Sequence, residues 1–329
     1  MSKPSFLSQL LQPRQKQHPR KTKQGNNIGI LGLGIIGSRV AKNLRSAGNH
    51  VWVWSRTPQP TPNFLASPKE VVEHATLIHI FVNDGKALHD VLREIAPKLT
   101  PKHTVINSTT VSIEETLEAQ KIVEKVGANY IDAPFTGSKN AAEAGELVYY
   151  VGGDQKLIQS IEPILEASGR LVVPVGKVGD ATAIKLATNI LTATTVAALG
   201  EATAILRANE TSLDAFELAL KENLVHSAAL DFKLKALTTK NFEPHFSLKN
   251  MAKDMRAAQA AASKADFQLP VVDTFLKIAD NFDEETQAKN DFAILSESLK
   301  PNKAAQAPAP KFSKEDSAKE KKEDKNQDK

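Results

Sequence analysis

Gly32, Gly34 and Gly37 stand in the spacing GxGxxG within GILGLGIIGSRVAKNL, after an apolar strand-like run and before an amphipathic helical pattern. In that context the spacing is a dinucleotide fingerprint. The first glycine permits the tight turn, the second lets backbone approach a pyrophosphate, and the third lets helix and strand pack closely. Leu33, Ile35 and Ile36 complete the turn, and the phosphates would sit on the helix N-terminus. A second constellation lies far downstream. Lys185 and Asn189 are the only strongly polar residues in ATAIKLATNI at 181–190. At i and i+4 they share a helix face and can reach one ligand atom. Two readings are open: a lysine that snorkels to solvent, or a buried lysine, which is rare without a partner or a task.

Cofactor choice is read after the second strand. Where an acid would accept bonds from a ribose 2′-hydroxyl, WVWSRTP places Ser55, Arg56 and Thr57. A guanidinium pairs with a 2′-phosphate that a carboxylate would repel, so NADP(H) is expected over NAD(H). The alternative is a solvated Arg56 and a site open to both cofactors.

These groups need elements to hold them. From NIGILGLG through HVWVW, TLIHIFV, HTVINST, ANYIDAPF, LVYYVGG and RLVVPVG, short β-rich runs alternate with helix-period segments. That alternation predicts βαβ units, hence an α/β, Rossmann-type, mostly parallel sheet domain over 26–179. Gly176 and Gly179 then turn the chain into a long helix from Asp180, its expected N-cap, to about Asn209. An all-α C-terminal domain over 180–300 follows, joined by that helix, with TTKNFEPHF as a loop.

Composition bounds the function class. The 329 residues suffice for two domains, and with no cysteine there is no disulfide or thiolate metal ligand. The eight histidines show no metal-ligand spacing, and His79 reads as a satisfied histidine in or beside the sheet. No apolar run of membrane-spanning length is expected. The net charge of +4 sits at the ends: residues 1–24 carry six basic residues and no acid, and 301–329 carry eight lysines against six acids. The body between them holds 28 basic and 32 acidic residues, which argues against a nucleic-acid partner. We expect a disordered basic arm over 1–25, a disordered charged tail over 301–329, and a cytoplasmic protein. The arm's composition leaves organellar import open.

Taken in order, GLGIIG, SRT, FVND at 81–84, INSTTV at 106–111, DAPFTGSKNAAEAGEL at 132–147, the Lys185–Asn189 helix and FSLKNMAKDM at 246–255 resemble the β-hydroxyacid dehydrogenase family. The resemblance runs from 28 to about 298 and favours its glyoxylate/succinic semialdehyde reductase branch over the 3-hydroxyisobutyrate dehydrogenase branch. It implies Lys185 as general acid toward an aldehyde oxygen, a role an ammonium suits because one group stabilises the alkoxide and supplies the proton. Asn189 would fix substrate and lysine. Thr136, Gly137 and Ser138 would hold the substrate carboxylate, Thr110 would touch nicotinamide ribose or substrate, and Val82, Asn83 and Asp84 would line the adenine side of the pyrophosphate. Lys253 would close over the cofactor, with Lys249 as the runner-up. The implied substrate is a small carboxylate-bearing aldehyde or hydroxy acid, and the implied assembly a homo-dimer or tetramer.

Duller accounts stand beside these roles: Asp84 as a helix cap, Thr110 and Thr136 as turn residues, Lys249 and Lys253 on an exposed face. The chain also departs from the family. Ile36 replaces a methionine, Thr136 a serine, and Ala181 a glycine expected to loosen the entry to the long helix. The last two bear on substrate choice. The competing activity is a 3-hydroxyisobutyrate or tartronate semialdehyde dehydrogenase, and the competing class a non-catalytic binding module acting through its tails.

Overall fold

The strand β1 (Asn27–Leu31) is buried along nearly its whole length, as expected of a parallel strand covered on both faces. The computed structural model describes residues 25–299; the expected arm, apart from Gly25, and the charged tail lie outside the described residues. Around β1 are ordered β2 (His50–Trp54), β3 (Leu77–Ile80), β4 (Thr104–Asn107), β5 (Asn129–Asp132), β6 (Phe135–Thr136), β7 (Leu147–Gly152) and β8 (Gly169–Gly176). Sheet order is β2-β1-β3-β4-β5-β7-β6, with β8 on β7. The order therefore reverses at β1, and the crevice beyond the carboxyl ends of β1 and β3 is the switch point where such sheets bind ligands.

The first five strands are parallel, but β7 pairs antiparallel with β5 and β6, and β8 runs parallel to β7. The sheet is thus mostly parallel, as expected, with its antiparallel pairings confined to β7 against β5 and β6. Ala133 and Pro134 interrupt the chain after β5, and the two-residue β6 folds back directly against β7 instead of crossing over.

Helices α1 (Gly37–Ser46), α2 (Pro68–His74), α3 (Gly85–Ile95), α4 (Ile113–Glu124), α5 (Lys139–Glu143) and α6 (Gln155–Glu166) connect the strands. On one face, Val40 and Leu44 of α1 and Ile161 and Leu165 of α6 bury against Ile28, Ile30 and Tyr149. On the other, Leu88 and Leu92 of α3 and Ala119 and Val123 of α4 bury against Leu31, Ile78 and Ile80.

The long helix α7 (Asp180–Ala208) has 29 residues, so it runs about 43 Å. Its N-cap is Gly179, in the left-handed region at φ 95°, and not Asp180 as the sequence suggested. Asp180 is the first helical residue, and its carboxylate accepts a bond from the Lys177 N–H. What seats α7 is Asp132, at the end of β5. Its Oδ2 accepts from the backbone N–H groups of Gly179 (3.1 Å) and Thr182 (2.9 Å), and the Thr182 hydroxyl donates to the same carboxylate. Thr116 of α4 meets that hydroxyl at 2.9 Å. Burial pushes the Asp132 carboxyl up to about 6 in spite of these bonds.

Beyond α7 come α8 (Leu213–Lys221), α9 (Ala228–Thr239), α10 (Leu248–Lys264), α11 (Pro270–Ala279), α12 (Glu284–Lys289) and a 3₁₀ turn (Phe292–Ser298). The loop expected over 238–246 begins at Lys240, since Thr238 and Thr239 still belong to α9. Ala193, Val196 and Leu199 of α7 pack with Met251 and Met255 of α10 and Phe275 and Leu276 of α11 in a third core. Among the described residues α7 alone is long and apolar enough to cross a membrane, with a mean hydropathy of 1.3 over its most apolar window, which the sequence reading did not anticipate. Here it is the central helix of the helical domain.

Candidate active site

The fingerprint glycines differ in what surrounds them. A Cβ on Gly32, at φ +106°, would lie 2.2 Å from the Phe81 carbonyl oxygen, and one on Gly37 would lie 2.0 Å from the Gly32 carbonyl oxygen. One on Gly34 would meet nothing within 4 Å. Two glycines are thus required by the chain's own packing, and the middle one leaves a cradle into which a dinucleotide pyrophosphate fits. No side chain caps α1, which leaves its N-terminal end open to an anion. Leu33 is buried and its carbonyl accepts from Gln59 Nε2 at 2.9 Å; Ile36 is half-buried and Ile35 exposed.

Ser55 is buried and donates to the Thr57 carbonyl, tightening the turn after β2. That turn presents Arg56 and Thr57 to solvent. Across the crevice Val82 donates its N–H to Thr109 Oγ1 at 3.2 Å, while Asn83 and Asp84 are exposed. Asp84 also caps α3 by accepting from Ala87 N–H, so its local bond is the cap. Thr109, not singled out in the sequence, joins the β3 and β4 ends of the crevice.

The catalytic candidates come together where α7 meets α10. Asn189 is buried and donates through Nδ2 to Asp254 Oδ2 at 2.7 Å. Lys253 donates to the other carboxylate oxygen at 2.6 Å and also to the Thr110 carbonyl, which binds the helical domain to the sheet domain at the crevice. Lys249 is exposed and takes no part. Lys185 is half-buried and, among the described residues, has no hydrogen-bond or ion-pair partner. Burial of its amine lowers its pKa to about 8, opposed by the nearby Asp254 carboxylate and reinforced by Lys253. A lysine poised there is mainly ammonium at neutral pH, with a minor amine fraction that grows toward pH 8.

Asp254, only 1% exposed, is the residue sequence reasoning missed. The signal was present: Leu248, Met251, Met255, Ala258 and Ala262 form the buried stripe of α10, and Asp254 puts a carboxylate inside it.

Thr136 lies half-buried on β6, paired with Val148, and Gly137 follows at φ +138°, where a Cβ would strike Leu147. The Ser138 hydroxyl accepts from Ala141 N–H and so caps α5. No hydrogen bond joins this turn to Lys185 or Asn189. Ala181 is fully buried in the first turn of α7, not in the loop before it. His79 is buried with Nε2 2.7 Å from Ser108 Oγ; since that hydroxyl donates to the Ala133 carbonyl, the imidazole is the donor, and burial holds its pKa near 3. It is a neutral sheet residue. No group of three His, Cys, Asp or Glu among the described residues could hold a metal.

Comparison with known proteins agrees with this geometry. Residues 27–177 match the sequence model of the NAD binding domain of 6-phosphogluconate dehydrogenase, and residues 179–299 match that of the NAD-binding domain of NADP-dependent 3-hydroxyisobutyrate dehydrogenase. The chain is 27% identical over 296 residues to glyoxylate/succinic semialdehyde reductase 2, chloroplastic, of Arabidopsis thaliana, covering 85% of this chain and 81% of that protein. It is 26% identical over 284 residues to the cytokine-like nuclear factor N-PAC of Homo sapiens, covering 83% of this chain but spanning only 51% of that longer protein. In fold it resembles the 3-hydroxyisobutyrate dehydrogenase of Mycobacterium tuberculosis, with a TM-score of 0.76 at 23% identity over 84% of this chain and all of the other. With both halves matched in sequence and the same two-part fold, the chain belongs to the β-hydroxyacid dehydrogenase family of NAD(P)-dependent oxidoreductases.

Proposed function

We propose that the chain is an NADPH-dependent reductase of small aldehyde acids, converting glyoxylate or succinic semialdehyde to the hydroxy acid. The observation that carries this reading is the half-buried, unpartnered Lys185 beside the Asn189–Asp254–Lys253 network. The nicotinamide cofactor, when bound, supplies the hydride. Lys185 delivers the proton to the aldehyde oxygen and stabilises its developing charge. Asn189 commits one amide N–H to Asp254, which leaves Oδ1 to accept from the ammonium or the substrate hydroxyl and a second N–H to donate. Thr136, Gly137 and Ser138 hold the substrate carboxylate, Thr110 meets the nicotinamide ribose or substrate, and Lys253 keeps the second domain over the cofactor.

Arg56 and Thr57, exposed at the end of β2, would take the 2′-phosphate, and the NADP-dependent description of the second family model supports that preference. The Arabidopsis relative's name supports the substrate class. The same family description and the Mycobacterium neighbour favour the second reading, a 3-hydroxyisobutyrate or tartronate semialdehyde enzyme, in which Lys185 serves as base in the oxidative direction. The competing class is a binding module acting through its tails; deleting 1–24 and 301–329 should leave turnover intact under the enzymatic reading.

Self-association as a dimer or tetramer belongs to this proposal. Ile184, Leu191 and Ile205 are exposed along α7 on a stripe with few charges, a face suited to a second copy of the chain. Cytoplasmic placement is part of it too, with organellar import the alternative that the chloroplastic relative raises. The test is NADPH consumption across a panel of aldehyde acids: turnover of glyoxylate or succinic semialdehyde is expected, and none with either overturns the proposal.

A further inference from the structure

The short helix α5 follows directly on the Thr136–Ser138 turn, and its far end is bound to the cofactor helix. Glu143, the last residue of α5, lies with Oε2 3.1 Å from Arg39 Nε, and its other oxygen accepts from Lys42 Nζ. Both cations hold its carboxyl below the usual range. One residue along α1, Asn43 Nδ2 donates to the Ala142 carbonyl at 2.8 Å, and Ala142 is fully buried. Arg39 faces two ways: its Nη1 donates to the carbonyl of Ile35, inside the fingerprint turn, at 2.6 Å. A continuous path therefore runs from the turn that receives the pyrophosphate, through Arg39, to Glu143 and the segment that carries Thr136, Gly137 and Ser138. At the other end of α5, Lys139 lies 3.5 Å from Glu243 in the helical domain's loop.

We propose that Glu143 is a positioning residue through which an occupied dinucleotide site sets the substrate turn, so that cofactor binding raises affinity for the carboxylate of the substrate. This rests on the reading of the 136–138 turn as the carboxylate site. Five residues of helix are too few to hold a shape unaided, so α5 takes its position from what clasps it. Reciprocity follows, since a substrate that orders the turn must tighten the dinucleotide by the same factor. Individually exposed ion pairs contribute little; the coupling here depends on Arg39, partly buried, serving the fingerprint and Glu143 together.

The test uses the full chain with Glu143→Gln and the charge-keeping Glu143→Asp. In steady state with NADPH and the aldehyde acid, Glu143→Gln should raise the substrate KM by roughly three- to tenfold, with kcat within about twofold, as loss of ground-state positioning requires. Glu143→Asp, which keeps a carboxylate facing Arg39 and Lys42, should lose less than Glu143→Gln does. Amide hydrogen exchange supplies a readout independent of turnover: NADPH should protect the backbone of 136–145 in the wild type and protect it much less in Glu143→Gln. Unchanged KM and unchanged protection in Glu143→Gln overturn the proposal, as does a parallel loss of kcat, kcat/KM and melting temperature that is equally large in Glu143→Asp. A wild type that turns over neither acid, yet shows NADPH-dependent protection lost in Glu143→Gln, would sink the substrate reading and leave the clasp standing.

Discussion

Asn189 and Asp254, 65 residues apart in the chain, are joined by a 2.7 Å hydrogen bond between α7 and α10. The bond fixes which end of the Asn189 amide faces the carboxylate, and it brings a negative charge close enough to raise the Lys185 pKa against the burial that lowers it. Asp254 thereby offsets part of the burial that acidifies a lysine it does not touch.

The pH profile should report that arrangement. With Lys185 as the acid, reduction requires the ammonium, so kcat falls as pH rises through about 8, while oxidation of the hydroxy acid requires the amine and rises over the same range. Asp254→Asn removes the charge that favours the ammonium, so the limb of the reductive profile moves to lower pH. Profiles measured from pH 6 to 10 check this; a limb in the same place in both proteins contradicts it.

Gly34 and Gly37 should fail differently. Ala at 37 collides with the Gly32 carbonyl and lowers the melting temperature, whereas Ala at 34 meets nothing in the chain and costs only cofactor affinity. Thermal melts beside NADPH titrations separate the two, and a Gly34→Ala protein that binds NADPH as the wild type does would remove the pyrophosphate from that cradle.

Arg56 should carry the cofactor preference. Replacing it with Ala removes a charge-assisted pair with the 2′-phosphate and should cut the NADPH-to-NADH ratio of kcat/KM by roughly 10- to 100-fold, chiefly through NADPH. An unchanged ratio would assign the preference elsewhere.

Asp132 should leave a signature in stability. Its folded pKa, about 6, lies above the ordinary 3.8, so the native state takes up a proton between those values. Its contribution is fully present below the unfolded value and is lost as pH rises through about 6, an effect of about 3 kcal/mol. Asp132→Asn, which keeps a hydrogen-bonding partner for Gly179 and Thr182, should flatten that slope in denaturant titrations between pH 4 and 7. A wild-type slope retained in the variant would place the titration on another group.

Much of this architecture was legible in residue patterns because the signals were local. Alternating runs located β1 to β5, and the stretch from Asp180 onward predicted α7 nearly to its last residue. The glycine turn, Ser55–Thr57 and the Lys185–Asn189 face were readable for the same reason. The direction of β7 was not, because it depends on how β6 folds back and not on any periodicity. Asp180 looked like a cap, but the donors that need an acceptor at that turn are served by Asp132, 48 residues earlier. Asp254 and Glu143 escaped for a like reason: each acts on residues of another element, and pattern within one helix does not identify the partner.

The most direct measurement is the NADPH-dependent rate on glyoxylate and succinic semialdehyde for the wild type and Lys185→Ala, with NADPH affinity determined for both. Turnover is expected in the wild type, with a loss of about 10²- to 10⁴-fold in kcat on removing the lysine and NADPH binding within a few-fold. A Lys185→Ala protein that reduces either acid at the wild-type rate would contradict Lys185 as the general acid.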